Sequence, residues 1–163
     1  MTLSFRIKQF FYNAFRELFV YHHNSLEFRA KIFALVISAD ENPRVENYII
    51  VKNAGLKIYN NNEDRANLLM LHTKELVKKI KANNGLQSDR LINNIQKELR
   101  IVPRYAKKID TSDLKPLLLL PFDEDTVAYQ KNIIEFLESI KEDILHENKE
   151  QIAKDEEKLK QLK

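Results

Sequence analysis

Twice in this chain an apolar run meets a short acidic turn and passes into a second helical pattern. The first instance is Phe28 to Ile50, FRAKIFALVISADENPRVENYII, with its turn at Asp40-Glu41-Asn42. The second is Leu114 to Leu137, LKPLLLLPFDEDTVAYQKNIIEFL, with its turn at Asp123-Glu124-Asp125. Each is followed by an Ile-Ile pair, and Asp40 and Asp123 stand 83 residues apart. Such an internal echo is read before anything else in a sequence, because it predicts two related helix, acidic turn, helix units built around one shared core.

Composition fixes what those units are made of. With only 2 glycines and 4 prolines in 163 residues, the chain has little material for the turns of a sheet protein. The expected fold is all-α, a compact bundle of about seven helices drawn from the 3.6-residue apolar period. Residues 1–146 read as one helical domain and residues 147–163 as a charged C-terminal helical extension or tail. The absence of cysteine removes disulfides, thiolate zinc sites and a cysteine nucleophile. The net charge of +3 rests on 27 basic and 24 acidic side chains, a mixed balance that does not by itself imply nucleic acid.

The chain opens with a predicted helix, Leu3 to Tyr21, whose Phe11, Ala14, Phe15, Leu18 and Phe19 form one stripe interleaved with Arg6, Lys8, Arg16 and Glu17. Its charges break up the apolar centre a signal peptide needs, and no run is long enough to span a bilayer. The expected location is the cytoplasm. The Phe-rich stripe with basic neighbours also suits an interfacial helix, which would make the protein a peripheral adaptor at the inner membrane surface; core packing is the alternative use of the same stripe. His22-His23 reads as a surface pair.

Next come a helix from about Ser25 to Ala39, apolar on most sides and therefore central, and one entered through Asn42 as N-cap with Pro43 at its first position. A further helix runs from about Glu63 to Lys81, with His72 near its apolar face as a core histidine. Ser88 caps the helix of Leu91, Ile95 and Leu99, which Pro103 breaks or kinks. Ser112 or Thr111 caps another, in which Leu117 to Leu120 is read as packed on all sides. The last begins near Asp125 or Thr126 and thins beyond His146 to Ile152, Leu159 and Leu162, as a solvated extension or a frayed end whose heptad-like positions could dock a partner.

Two groups of residues are candidates for chemistry. Asp40, Glu41 and Glu46 in the first turn, and Asp123, Glu124 and Asp125 in the second, are hard oxygen donors near helix starts. Such oxygens suit Ca²⁺, Mg²⁺ or Mn²⁺, and they equally suit capping and the positive end of the helix dipole. The stretch Lys97 to Lys108 is the most basic patch: Arg100, Arg104, Lys107 and Lys108 would contact a partner or a phosphate, with Tyr105 as a stacking ring. The competing reading is a solvated charged face. There is no Gly-rich phosphate loop, no nucleophile elbow and no pair of histidines one helical turn apart, so no enzyme activity is expected.

An apolar helix ending in an acidic turn before a second helix, repeated in an all-helical domain, resembles the tellurite-resistance TerB-like family, which includes the N-terminal domain of a DnaJ-like cochaperone. Ser38-Ala39-Asp40 matches the start of that family's Ala-Asp-Gly motif, and Asp123 is the corresponding acid of the second unit. Glu41 and Glu124 stand where the family prefers glycine. Seven residues beyond the acids, where the family carries glutamate, lie Asn47 and Gln130, with Glu46 one position away. The resemblance implies a non-enzymatic stress-response or envelope-associated interaction module with a protein partner, and carboxylates from both repeats as ligands of a divalent cation.

Overall fold

The computed structural model describes residues 24–82 and 86–162. The predicted helix Leu3 to Tyr21, its membrane reading, His22-His23 and the Asn83-Asn84-Gly85 stop lie outside the described residues. Within them the chain is all-α: α1 (Asn24–Ile37), α2 (Val45–Ile58), α3 (Glu63–Ala82), α4 (Leu86–Ile101), a 3₁₀ segment Pro103–Lys108, the single turn α5 (Thr111–Leu114), a second 3₁₀ segment Lys115–Leu119, and α6 (Glu124–Gln161). No strand occurs among the described residues.

The central position of α1 follows from its sequence. Every side chain from Ala30 to Ile37 is buried, so the helix has no wet face along its second half. α3 lies against both α1 and α2, while α4, α6 and the Pro103–Lys108 segment cover the rest of α1. Phe28, Leu69, Ile95, Leu117 and Leu137 are among the largest fully buried side chains, each worth about 2 kcal/mol of transfer free energy. Gly55 makes the α2–α3 contact possible. A Cβ there would sit 2.9 Å from the Cα of Ala66, so the two backbones approach more closely than any larger residue allows. The α2–α3 turn is set by Asn60 and Asn61, both in the left-handed region with φ of 52° and 62°. Asparagine tolerates that region better than other residues with a Cβ, and Asn62 Oδ1 then accepts from Arg65 N to start α3.

Several expected details change. Ser88 is not a cap, because α4 already begins at Leu86, and α6 begins at Glu124 behind Asp123 in place of Asp125 or Thr126. α2 begins at Val45 with Arg44 as N-cap, not at Pro43 after Asn42. The Asn42 amide is spent inside the turn, donating to Asp40 Oδ1 at 2.9 Å, and the helix opens only when Asn47 Oδ1 accepts from Arg44 N at 2.8 Å. The cap of α5 is Asp110, which accepts from Ser112 N, in place of Ser112 or Thr111. Leu117 to Leu120 is not packed on all sides: it lies largely in 3₁₀ geometry, where Pro116 lacks the amide a regular helix would use, and only Leu117 is buried while Leu119 is 85% exposed. The second unit therefore repeats the first only in part, with a tight 3₁₀ run where the first has a full helix.

α6 is 38 residues long, about 57 Å at the usual rise. Ile133, Ile134 and Leu137 are buried in the bundle, whereas every side chain from His146 to Leu162 is exposed. The tail is thus the solvated extension of a continuous helix, carrying contacts within one turn such as Gln151 to Asp155 at 3.0 Å.

Candidate functional site

The two acidic turns are joined through one side chain. Arg44, held at the start of α2 by the Asn47 cap, donates from Nη2 to the carbonyl of Leu120 at 2.5 Å. Its guanidinium also lies 4.6 Å from the ring centroid of Phe122. Arginine suits this double role, since its planar fork can meet a carbonyl in its plane and an aromatic ring across its face. Phe122 itself is 92% exposed. Placed just before the N-cap Asp123, it reads in sequence as the outer half of a hydrophobic staple to Val127, but its ring rests on Arg44 and faces water.

The segments that meet here carry exposed apolar side chains. Val45, next to Arg44, is 71% exposed, Ile49 one turn along α2 is 49% exposed, and Leu119 belongs to the segment that packs on α2. Carboxylates adjoin these side chains in the chain, Glu46 next to Val45 and Asp123, Glu124 and Asp125 after Phe122, all exposed, and none is ion-paired among the described residues.

Two of the acids named from sequence, Asp40 and Asp123, are employed locally. Asp40 Oδ1 closes the turn onto Asn42 N, and the carbonyl of Asp40 accepts from Lys81 Nζ at the end of α3. Burial lowers the Lys81 pKa, and Asp40 and Glu41 oppose that shift. Asp123 Oδ1 accepts from Thr126 N at 2.7 Å as the N-cap of α6, which holds its carboxyl below the usual range. The positions seven residues on, Asn47 and Gln130, are fully buried amides. Asn47 holds Arg44 N, and Gln130 Nε2 donates to the Val36 carbonyl at 3.1 Å, tying α6 to the last turn of α1. Their remaining atoms, Asn47 Nδ2 and Gln130 Oε1, have no partner among the described residues. One neutral amide donor and one neutral acceptor, with the two acids spent on backbone amides, do not match the hard anionic oxygens a divalent cation takes. Among the described residues no three His, Asp or Glu side chains group as a metal would need.

The basic patch is differently composed from its sequence reading. Arg100, Arg104 and Lys107 are exposed, and Lys108 is half-buried beside Arg29 of α1 and Arg104, its pKa lowered first by burial and then by those two cations. Tyr105 is not a free stacking ring. It is buried, with its centroid 5.2 Å from that of Phe28. Arg29 was not foreseen; it donates to Tyr59 Oη at 3.3 Å, and Asp110 and Asp113 line the same small cavity as Arg29 and Lys108.

Sequence reasoning also missed Arg44, Val45, Ile49, Leu119 and Phe122. The one available signal was Phe122 itself, a large aromatic set between Pro121 and Asp123 in an otherwise polar turn. No helix among the described residues is long and apolar enough to cross a membrane. Comparison with known protein families, with curated proteins and with solved structures finds no match to this chain.

Proposed function

We propose that this chain is a non-enzymatic, TerB-like helical interaction module that engages a protein partner through the surface around Arg44 and Phe122. The observation that carries the reading is the exposed Phe122 ring resting on the Arg44 guanidinium. A free aromatic side chain loses rotamer freedom when it is captured, whereas a ring already held in place forgoes part of that cost. Aromatic and arginine side chains are also the residue types that dominate binding energy at protein interfaces. Val45, Ile49 and Leu119 enlarge the patch, which is the kind of exposed apolar surface that marks an interaction site. A stress or envelope-associated setting comes from the family resemblance alone.

A photo-crosslinking residue at position 122, in cells that naturally make the protein, tests this against a control residue at Lys107 in the basic patch. The reading expects a discrete adduct from position 122 that is lost with Arg44→Ala. Adducts only from position 107 would move the contact to the basic patch and favour a phosphate-bearing partner there.

A further inference from the structure

The partner's chemistry can be narrowed, and the argument rests on the interaction surface proposed above. The apolar residues fall into two short pairs. Val45 and Ile49 are four apart on α2 and so share a face, while Leu119 and Phe122 come from the segment that Arg44 ties to the start of that helix. Four carboxylates border them: Glu46 beside Val45, and Asp123, Glu124 and Asp125 directly after Phe122.

The local cations do not neutralise this rim. Arg44 keeps its single positive charge while bonded to the neutral Leu120 carbonyl and the Phe122 ring, and one cation offsets only part of four carboxylates. Lys52 pairs with Glu63 at 3.2 Å, and Lys81 reaches the Asp40 carbonyl on the other turn. Lys115 and Lys131, the next cations along the second segment, form no ion pair with the rim. The surface is therefore apolar at its centre and anionic at its edge, a poor match for an anionic membrane or nucleic acid. A helix laid on it would need one apolar stripe and lysine or arginine along its flanks, the usual pattern for helices that dock in acidic apolar sites.

We infer that the surface formed by Val45, Ile49, Leu119 and Phe122, edged by Glu46, Asp123, Glu124 and Asp125, binds a basic amphipathic helix of a partner protein. The rim charges steer the helix and fix its orientation, and the held Phe122 ring enters its apolar stripe.

Two short fluorescent peptides test the inference: one helical with leucine on one face and lysine on the other, and one with glutamate in place of each lysine. Anisotropy is read with wild type, with Phe122→Ser and with Glu124→Lys/Asp125→Lys. The expected result is salt-weakened binding of the lysine peptide to wild type and about tenfold weaker binding of the glutamate peptide. Binding is also about tenfold weaker to Phe122→Ser, and the charge-reversed variant inverts the peptide preference. Equal binding of both peptides, lost in Phe122→Ser, would overturn the basic partner and leave the interaction surface standing. Equal binding of the lysine peptide to wild type and Phe122→Ser would overturn both. No binding of either peptide would overturn the basic-helix inference alone, since the crosslink at position 122 reports on the surface independently.

Discussion

The guanidinium of Arg44 lies 4.6 Å from the Phe122 ring centroid while donating to the Leu120 carbonyl. The start of α2 is thereby fastened to the turn that precedes α6, two segments far apart in sequence and without a covalent link. Arg44→Ala should cost about 1–2 kcal/mol in denaturant unfolding, less than the full sum of a charged hydrogen bond and a cation–π contact because both are partly exposed to water. Arg44→Lys should recover less than half of that, because a single ammonium cannot meet a carbonyl and cover a ring together. Phe122→Ser should change stability by under about 0.5–1 kcal/mol, as expected for a ring that is almost fully exposed.

Asp123 is a cap with measurable consequences. Asp123→Ala should lower the unfolding midpoint measurably and Asp123→Asn by much less, since asparagine can still accept from Thr126 N. Calorimetric titration of stripped protein with Ca²⁺, Mn²⁺ and Mg²⁺ should then give no saturable heat that Asp40→Asn or Asp123→Asn removes. A saturable heat lost in either variant would assign the turns as ligands.

How much of this could be seen beforehand depends on how local the cause is. The extent of α3 follows from an apolar period and a capping residue close in sequence, at Asn62, and is legible; α6 starts at Glu124 behind the Asp123 cap, ahead of the expected Asp125 or Thr126, and its run to Gln161 decides between a solvated extension and a frayed end that the sequence leaves open. α2 is misjudged because Asn42 and Pro43 look like a helix start, while the real cap pairs Arg44 with Asn47 after the turn has consumed the Asn42 amide. Leu119 and Phe122 look like core because they are apolar. Their exposure is decided by a 3₁₀ run and by Arg44 from a distant segment, and nothing next to them in the chain records it. Lys31, a cation within the most buried helix, is likewise explained mainly by two partners more than sixty residues away, Asn94 and Glu98, which lie closer to it than Glu27 one turn before.

That lysine makes a further prediction. Lys31 is buried on α1 and binds Glu98 Oε1 at 2.6 Å and Asn94 Oδ1 at 2.7 Å on α4, with Glu27 at 3.7 Å. Removing Glu98 leaves the buried ammonium with Asn94 and the more distant Glu27 alone, whereas replacing the cation with an apolar side chain leaves no charge to satisfy. Glu98→Ala should therefore cost about 1–2 kcal/mol, and Lys31→Met/Glu98→Leu should be more stable than Glu98→Ala in chemical unfolding.

The pH response should carry the signature of His72. Burial, reinforced by Lys31 and Lys79, lowers its pKa from 6.5 to about 4. In the unfolded chain the imidazole takes up its proton near pH 6.5, so between there and pH 4 the unfolded state binds more protons. Stability should fall as pH drops through that window and be insensitive to His72 above it. His72→Gln should flatten this part of the profile, as read from unfolding midpoints across the range.

The most direct measurement of the central claim pairs the melting temperature of Phe122→Ser with the yield of a partner crosslink from a photoreactive residue at Val45, on the same surface. The account predicts a near-native melting temperature and a lost crosslink. An undiminished crosslink in the folded variant would contradict it, because the partner would then be engaged without the ring that Arg44 holds in place.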